Sequence, residues 1–600
     1  MAKMEPTTLP LPFAELAFPN PFGPMVGQPH DDRELDIAEI NAEAFEACRR
    51  LTQDVTTGGY SSALTVFGDA GTGKTHLVGR VRRWLDQQPE KLFVFARMET
   101  SPAGIWRHLR RCLALALLRA GADGVCIMDR LLGARRGDLE VLEHRDLSIV
   151  LENILDGRHV RDSAAWLRAE GLPDGVLQAL GLAAAGPDDD PETTSRCVVR
   201  AICELIRPAV VVFCMDQIEA VKSSAADRDG PHAVGRAVCC LIEETRNVSV
   251  ICCLQSHFMN LMEQILDEAA RSKMFGRRTA IRPLSWDQAQ RLIGARLDTV
   301  PELAEARAAH GGCWPLKESQ VRYVFANDAA PARKVIACCK DLFDRWMGIA
   351  VGPSDPPFQK MLEERYTTKE PAETEAVLRN GMPLLASADL KCSVPGNRSP
   401  LDFAINGRVA IAICNEASHR SLANHLKKIS EAWKPDVNQS LLLLRDTRMP
   451  PIPRTATATH KHIAALSERG GRLMTVSQEA ATALAALRRL LSDAESGDLA
   501  YDGEAVTPAA VEEWIAGHRP AALDHLVSAF QVPVHDGDLT PALAALLAER
   551  KMVRLADAAR SLEVAPVEVE ECARRDPGQF GILGGSVPAL FQTVTLESTR

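Results

Sequence analysis

Six hundred residues amount to several domains on a prior of about 100–200 residues each, so the chain reads as a set of modules and not as one compact enzyme. With 46% hydrophobic, 25% charged and 5% aromatic residues it is neither disordered nor fibrous. Lys+Arg 69 against Asp+Glu 79 gives a net charge of -10, which excludes a surface coated with nucleic acid throughout and confines any such contact to a local patch.

No apolar run approaches the roughly 18 residues of a membrane span; the longest, Ala209 to Met215, is strand-sized. The opening MAKMEPTTLPLPF has no hydrophobic signal core, so a cytoplasmic protein with no membrane contact is expected. The 16 cysteines are scattered, include adjacent pairs such as Cys252-Cys253 and form no C-x-x-C. They read as small buried hydrophobes in a reducing compartment, not as disulfides or zinc ligands.

In chain order, the first informative stretch is Leu64 to Leu77. A strand-like run, Leu64 to Phe67, enters Gly68-x4-Gly73-Lys74-Thr75, and Leu77, Val78, Val81 and Leu85 then fall on one helical face. That is a phosphate-binding loop in its required context. Glycines let backbone N–H groups turn toward phosphates, and the helix N-terminus adds positive potential. Lys74 can reach the β- and γ-phosphates and Thr75 can bind Mg²⁺. A second strand is expected at Leu92 to Ala96, followed by a helical insertion at about 105–205 that includes Asp146 to Leu155 and Ala164 to Gly171.

Ala209-Val-Val-Val-Phe-Cys-Met-Asp216 is a continuous apolar run of the kind buried on both faces of a parallel sheet, and Asp216 at its end is the acidic partner for Mg²⁺. Gln217 stands where a water-polarising Glu often follows. Either Glu219 takes that role, or the site turns over slowly and works as a switch. A third buried strand, Val248 to Leu254, ends in Gln255 and Ser256, polar residues able to sense a γ-phosphate. Ser285 with Gln288 three residues on forms a capping box, and Ala330-Pro-Ala-Arg333 opens a further helix with Pro near its first turn.

Residues 1–350 resemble an AAA+ ATPase of the origin-recognition or STAND-like branch through GDAGTGKT, the strand ending MDQIE, ICCLQS, RPLSWDQAQRLI and PAR. The resemblance implies an α/β parallel-sheet core (1–283) with a helical lid (284–350) that binds ATP with Mg²⁺. It places Gly68, Gly71, Gly73, Lys74, Thr75 and His76 along the phosphates, Asp216 on the metal, Gln255 as sensor 1 and Arg333 as sensor 2. It also implies an Arg supplied by a neighbouring subunit, hence a homo-oligomer, with Arg271, Arg277 and Arg278 in the right interval. The insertion and its Trp166-Leu167-Arg168 resemble ATPases of bacterial phage-defence operons, including BREX-type systems.

Val351 to Pro357 is a Pro-rich linker. Beyond it, helices at 358–366 and 372–379, Ser399 to Ile405, an Asn406-Gly407 hairpin signal, Val409 to Cys414 and Ser440 to Leu444 resemble a restriction-endonuclease-like α/β domain (358–500). Asp402 is present, but Ala412 and Cys414 occupy the Glu and Lys positions, so no nuclease chemistry is expected. Strand Gly471 to Val476, the cap Ser477 and a helix from Gln478 to Asp493 follow. Within 501–600, Val553 to Arg560, the helix Pro566 to Arg575 and Phe580 to Pro588 resemble a winged helix-turn-helix with a Gly584-Gly585 wing. Its second helix carries Glu568, Glu570 and Glu571 against Arg574 and Arg575, a balance that opposes contact with phosphates.

Two functions fit these readings. One is an ATPase that acts with a separate effector on double-stranded DNA in bacterial anti-phage defence or a mobile element. The other is a STAND-like signalling switch or scaffold with little DNA binding.

Overall fold

The computed structural model describes residues 19–23, 35–98, 104–121, 123–139, 142–183, 190–222, 227–348, 357–366, 374–385, 392–393, 399–405, 409–434, 440–495, 497, 499–501, 504–531, 539–562, 566–576, 579–583 and 589–592. The linker 351–356, the Asn406-Gly407 turn and the Gly584-Gly585 wing lie outside them.

The amino-terminal sheet contains β1 (Ser62–Phe67), β2 (Lys91–Arg97), β3 (Val210–Asp216), β4 (Val248–Leu254) and β5 (Arg278–Ala280) in the order β2-β3-β4-β1-β5. All pairings are parallel. Every residue of β3 and β4 is buried, as their unbroken apolar sequences require. Alternation then divides each strand between two cores. Val211, Phe213 and Met215 join the core under the insertion helices, while Val210, Val212 and Cys214 join that of the Lys74–Asp86 helix, with Leu77, Val78, Val81 and Leu85. Among the described residues, the insertion between β2 and β3 is built of helices, from Ile105–Leu118 to Pro191–Leu205, with one isolated bridge between Ala120 and Cys126. The last of these helices is capped by Asp190, whose carboxylate accepts from the Glu192 and Thr193 amides.

The lid is tied by the short antiparallel pair β6 (Leu284–Ser285) and β7 (Ala329–Ala330). Its helix Trp286–Leu297 begins in the full Ser285/Gln288 capping box, and Pro331 precedes the helix Ala332–Trp346. Phe22 and Ile40, far away in sequence, complete its core.

The middle domain has a second sheet, ordered β12-β11-β10-β9-β8. It comprises β8 (Cys392–Ser393), β9 (Phe403–Ile405), β10 (Val409–Ile413), β11 (Ser440–Asp446) and β12 (Gly471–Val476). β10, β11 and β12 run parallel, and β9 is antiparallel to β10. Ala412 and Cys414 pack with Leu422, Leu426 and Trp433 beneath the helix His419–Ala432, so the two expected nuclease positions belong to a hydrophobic core. On the other face, Ile411 and Ile413 meet Leu484, Leu487 and Leu491 of the helix Gln478–Glu495.

That second core does not stop at residue 500. Beyond the short pair β13 (Ala500–Tyr501) and β14 (Glu504–Ala505), it takes in Val511, Ile515, Leu526 and Phe530. The carboxy-terminal module begins later, with its own core around Leu543, Leu547, Val569, Phe580 and Leu590. There the helices Thr540–Arg550, Leu555–Ser561 and Pro566–Arg575 pack with β15 (Met552–Arg554), β16 (Phe580–Leu583) and β17 (Ala589–Gln592), in the order β15-β17-β16. The chain is a multidomain α/β protein, as expected from its sequence.

Candidate functional site

The site lies at the carboxyl ends of β1, β4 and β3, which are adjacent in the sheet. The loop leaving β1 turns through Gly71 at φ +74° and Gly73 at φ +106°, left-handed values that side-chain-bearing residues rarely adopt. A Cβ on Gly71 would also stand 2.9 Å from the Cβ of Arg333. Thr72 closes the loop by donating its hydroxyl to the Asp69 carbonyl at 2.8 Å. Lys74 Nζ donates to the carbonyls of Gly68 at 2.8 Å and Asp69 at 3.1 Å, so the ammonium is held at the loop it would serve.

Thr75 Oγ1 donates to Asp216 Oδ2 at 2.9 Å. The sequence separates these residues by 141 positions, and the β1-β4-β3 order brings them together. Two hard oxygens with phosphate oxygens nearby suit Mg²⁺. No group of three His, Cys, Asp or Glu side chains that could hold a metal by themselves occurs among the described residues. Asp216 is also paired in register with Arg97 of β2.

The remaining candidates fall in distinct places. Gln217 turns the chain at φ 53°, and Glu219 lies in the 3-10 turn Ile218–Val221. Both are buried. Gln255 follows β4 at the residue before the helix Ser256–Ile265 and makes no side-chain cap there; its Nε2 donates instead to the carbonyl of Glu495 at 3.3 Å. Arg333 lies in the first turn of the helix Ala332–Trp346, and its backbone N–H donates to the Gly71 carbonyl at 3.2 Å, which joins lid to phosphate loop.

The ring of His76 turns aside: Nε2 lies 2.9 Å from the Leu35 carbonyl, against a preceding segment and not along the loop. Arg80, one helical turn on, ion-pairs with Asp36 and donates to the Ile40 carbonyl at 2.8 Å. Asp36 is pulled below the usual carboxylate range: burial alone would raise it, and Arg80 and its neighbours outweigh that. This strap was not read from the sequence; the clue was the three arginines Arg80, Arg82 and Arg83 on an otherwise packed helix. Among the arginines considered as fingers, Arg277 pairs with Asp54 at 2.6 Å and Arg278 with Glu263 at 2.9 Å, while Arg271 donates to the Glu263 carbonyl at 3.4 Å. The structure does not gather them at the Thr75–Asp216 pair.

Within β3 and β4, burial pushes the thiols of Cys214 and Cys253 well up, and the nearby Asp216 charge adds to the effect. These cysteines are packing atoms, as their sequence pattern implied.

The middle domain keeps the Asp402 position. Its Oδ1 accepts from Arg379 at 2.6 Å and its Oδ2 from the Ile413 amide at 2.7 Å. Here the carboxylate ties strand ends together.

No family model and no curated protein matches the chain. Solved structures similar to it include Cdc6p from Pyrobaculum aerophilum, at 11% identity and a TM-score of 0.28 over 67% of this chain and 98% of that one. The Aeropyrum pernix ORC1 protein in complex with DNA gives 13% identity and 0.27 over 74% and 86%. Drosophila ORC bound to DNA gives 12% and 0.29 over 68% and 92%.

Proposed function

We propose that the chain is an AAA+ type ATP-binding switch that hydrolyses ATP slowly. The observation that carries this reading is the Thr75–Asp216 contact beside the Lys74 loop, which assembles a phosphate cradle and a metal-binding pair from separate strands. In it, Gly68, Gly71 and Gly73 admit the phosphates, Lys74 neutralises their charge, Thr75 and Asp216 hold Mg²⁺, and Arg333 and Gln255 report on the γ-phosphate. Thr75 and Asp216 are the residues that would hold Mg²⁺, which would supply positive charge against the negative charge of the phosphates. Buried Glu219 is the carboxylate nearest in sequence to Asp216 and is the candidate for orienting water.

In its fullest form the reading is an ATP-driven component that acts with a separate effector on double-stranded DNA in bacterial anti-phage defence. A carboxy-terminal winged helix would supply docking, and self-association would bring an Arg into the site. A second reading, a STAND-like switch with little DNA contact, is favoured by the middle domain's hydrogen bond to Gln255.

ATP turnover with and without double-stranded DNA separates them. Lys74→Ala should abolish turnover, a loss of at least about 100-fold, because the phosphoryl charge loses its cation. DNA stimulation in the native protein supports the DNA-acting form; nucleotide binding without DNA retention at physiological salt supports the switch. Glu219→Gln should bind ATP normally and turn it over more slowly. Turnover that survives Lys74→Ala sinks the assignment of the site.

A further inference from the structure

The middle domain reaches the nucleotide site through the end of one helix. Gln478–Glu495 is buried in the middle-domain core through Leu484, Leu487, Leu491 and Ala494, and the polar residues of its last turns also reach the amino-terminal half. Asp493 is 9% exposed and sits between two arginines. One is Arg97, at the end of β2 and in register with Asp216; the other is Arg365 of the helix Phe358–Tyr366, with Nε at 2.9 Å. These two charges more than offset burial, so Asp493 stays ionised below the usual carboxylate range.

Five further contacts continue toward the Gly68 to Thr75 loop. Arg488 donates to the carbonyls of Ala220 at 3.1 Å and Lys222 at 3.2 Å, just past Glu219. It also pairs with Glu495 at 3.2 Å. The Glu495 carbonyl accepts from Gln255. Gly497, at φ +66°, packs so close to Ala70 that a Cβ added to it would stand 2.3 Å from the Ala70 Cβ. A separate contact joins the middle domain to the insertion: His419 Nδ1 lies 3.0 Å from Asp174 Oδ2.

From this arrangement we propose that the end of the Gln478–Glu495 helix is an intramolecular gate on the nucleotide site: Asp493 and Gly497 hold it shut against Arg97 and Ala70, and Glu495 positions Gln255. The gate rests on the nucleotide-binding reading. Closed, it restrains Gln255 and keeps the loop Gly68 to Thr75 from opening, so it slows both nucleotide release and turnover. Because docking and occupancy then share one free energy, nucleotide tightens the interdomain contact and release of the contact loosens nucleotide.

The test uses the full chain and a fluorescent ADP analogue. Gly497→Val places atoms where Ala70 stands and strains a left-handed residue, so the gate must lift. Asp493→Asn keeps the shape and removes the charge that holds two arginines. Both variants, shown folded by circular dichroism and thermal melting, should release the analogue at least about fivefold faster, the low end of ordinary coupling between sites. They should also hydrolyse ATP faster and lose hydrogen-exchange protection at 488–495 and 68–75 together. Folded variants that release the analogue within twofold of the native rate overturn the gate while leaving the nucleotide site in place. A native chain that does not bind the analogue overturns the nucleotide reading and the gate with it. Should Gly497→Val fail to fold, Asp493→Asn alone decides.

Discussion

At the scale of single residues, the fate of a buried charge depends on the partners built around it. Arg110 shows what happens without a carboxylate: it donates to the Leu167 carbonyl at 3.1 Å and lies over Trp166, and burial lowers its pKa to about 9. His425 shows the opposite balance. Its Nδ1 lies against Glu416 at 2.5 Å and its Nε2 is 3.4 Å from the Pro400 carbonyl. Burial alone would lower its pKa, but Glu416 and, at longer range, Asp402 raise it. A histidine whose folded pKa lies above its unfolded one contributes stability that is complete below the unfolded value and is lost as pH rises through the folded value. His425→Gln should therefore destabilise the middle domain more at about pH 6 than at about pH 9. Urea unfolding at the two pH values checks this; an equal loss at both would remove the Glu416 pairing as its cause.

At the scale of elements, short polar signals set where helices begin. Ser285 and Gln288 satisfy each other's backbone groups at the lid entrance, with Ser285 Oγ accepting from the Gln288 amide at 3.3 Å. Ser285→Ala should cost about 1 kcal/mol of lid stability, the usual worth of such a cap, and leave nucleotide contacts unchanged. A shift in the thermal transition without a change in ADP release is the expected result. A β-strand here is equally legible, because continuous apolar runs cannot sit in solvent: β3 and β4 were visible as Ala209 to Met215 and Val248 to Leu254. The last turn of Gln478–Glu495 was not legible. Its periodic leucines announce a core helix, and nothing local to Asp493 says that its partners are Arg97 and Arg365, far away in sequence.

At the scale of the molecule, among the described residues five hydrophobic clusters serve the amino-terminal half and the middle domain, and one is confined to residues 539–590. Ligand stabilises only what it is linked to, by about 2.7 kcal/mol at a hundredfold excess over Kd. Mg-ATP should thus raise the unfolding transition of the first two units together and leave that of the carboxy-terminal module in place; Lys74→Ala should remove the shift. Differential scanning calorimetry resolves the two cases. A shift confined to the amino-terminal half would show that the middle domain is energetically separate.

The sequence alone determined the glycine turn from Gly68 to Thr75, the apolar strands and the lid cap, because each is encoded by neighbours a few residues apart. It also determined that Ala412 and Cys414 offer no oxygen ligand for Mg²⁺, since a methyl group and a thiol are not hard donors in any fold. Tertiary structure decided the rest. The strand order put Asp216 on Thr75 and Gln255 between them and the middle domain. His76 was turned to the Leu35 segment, the second core was carried past residue 500, and one helix end was set against Ala70. Such contacts join segments tens to hundreds of residues apart, and their energy depends on distance and desolvation that no local pattern encodes.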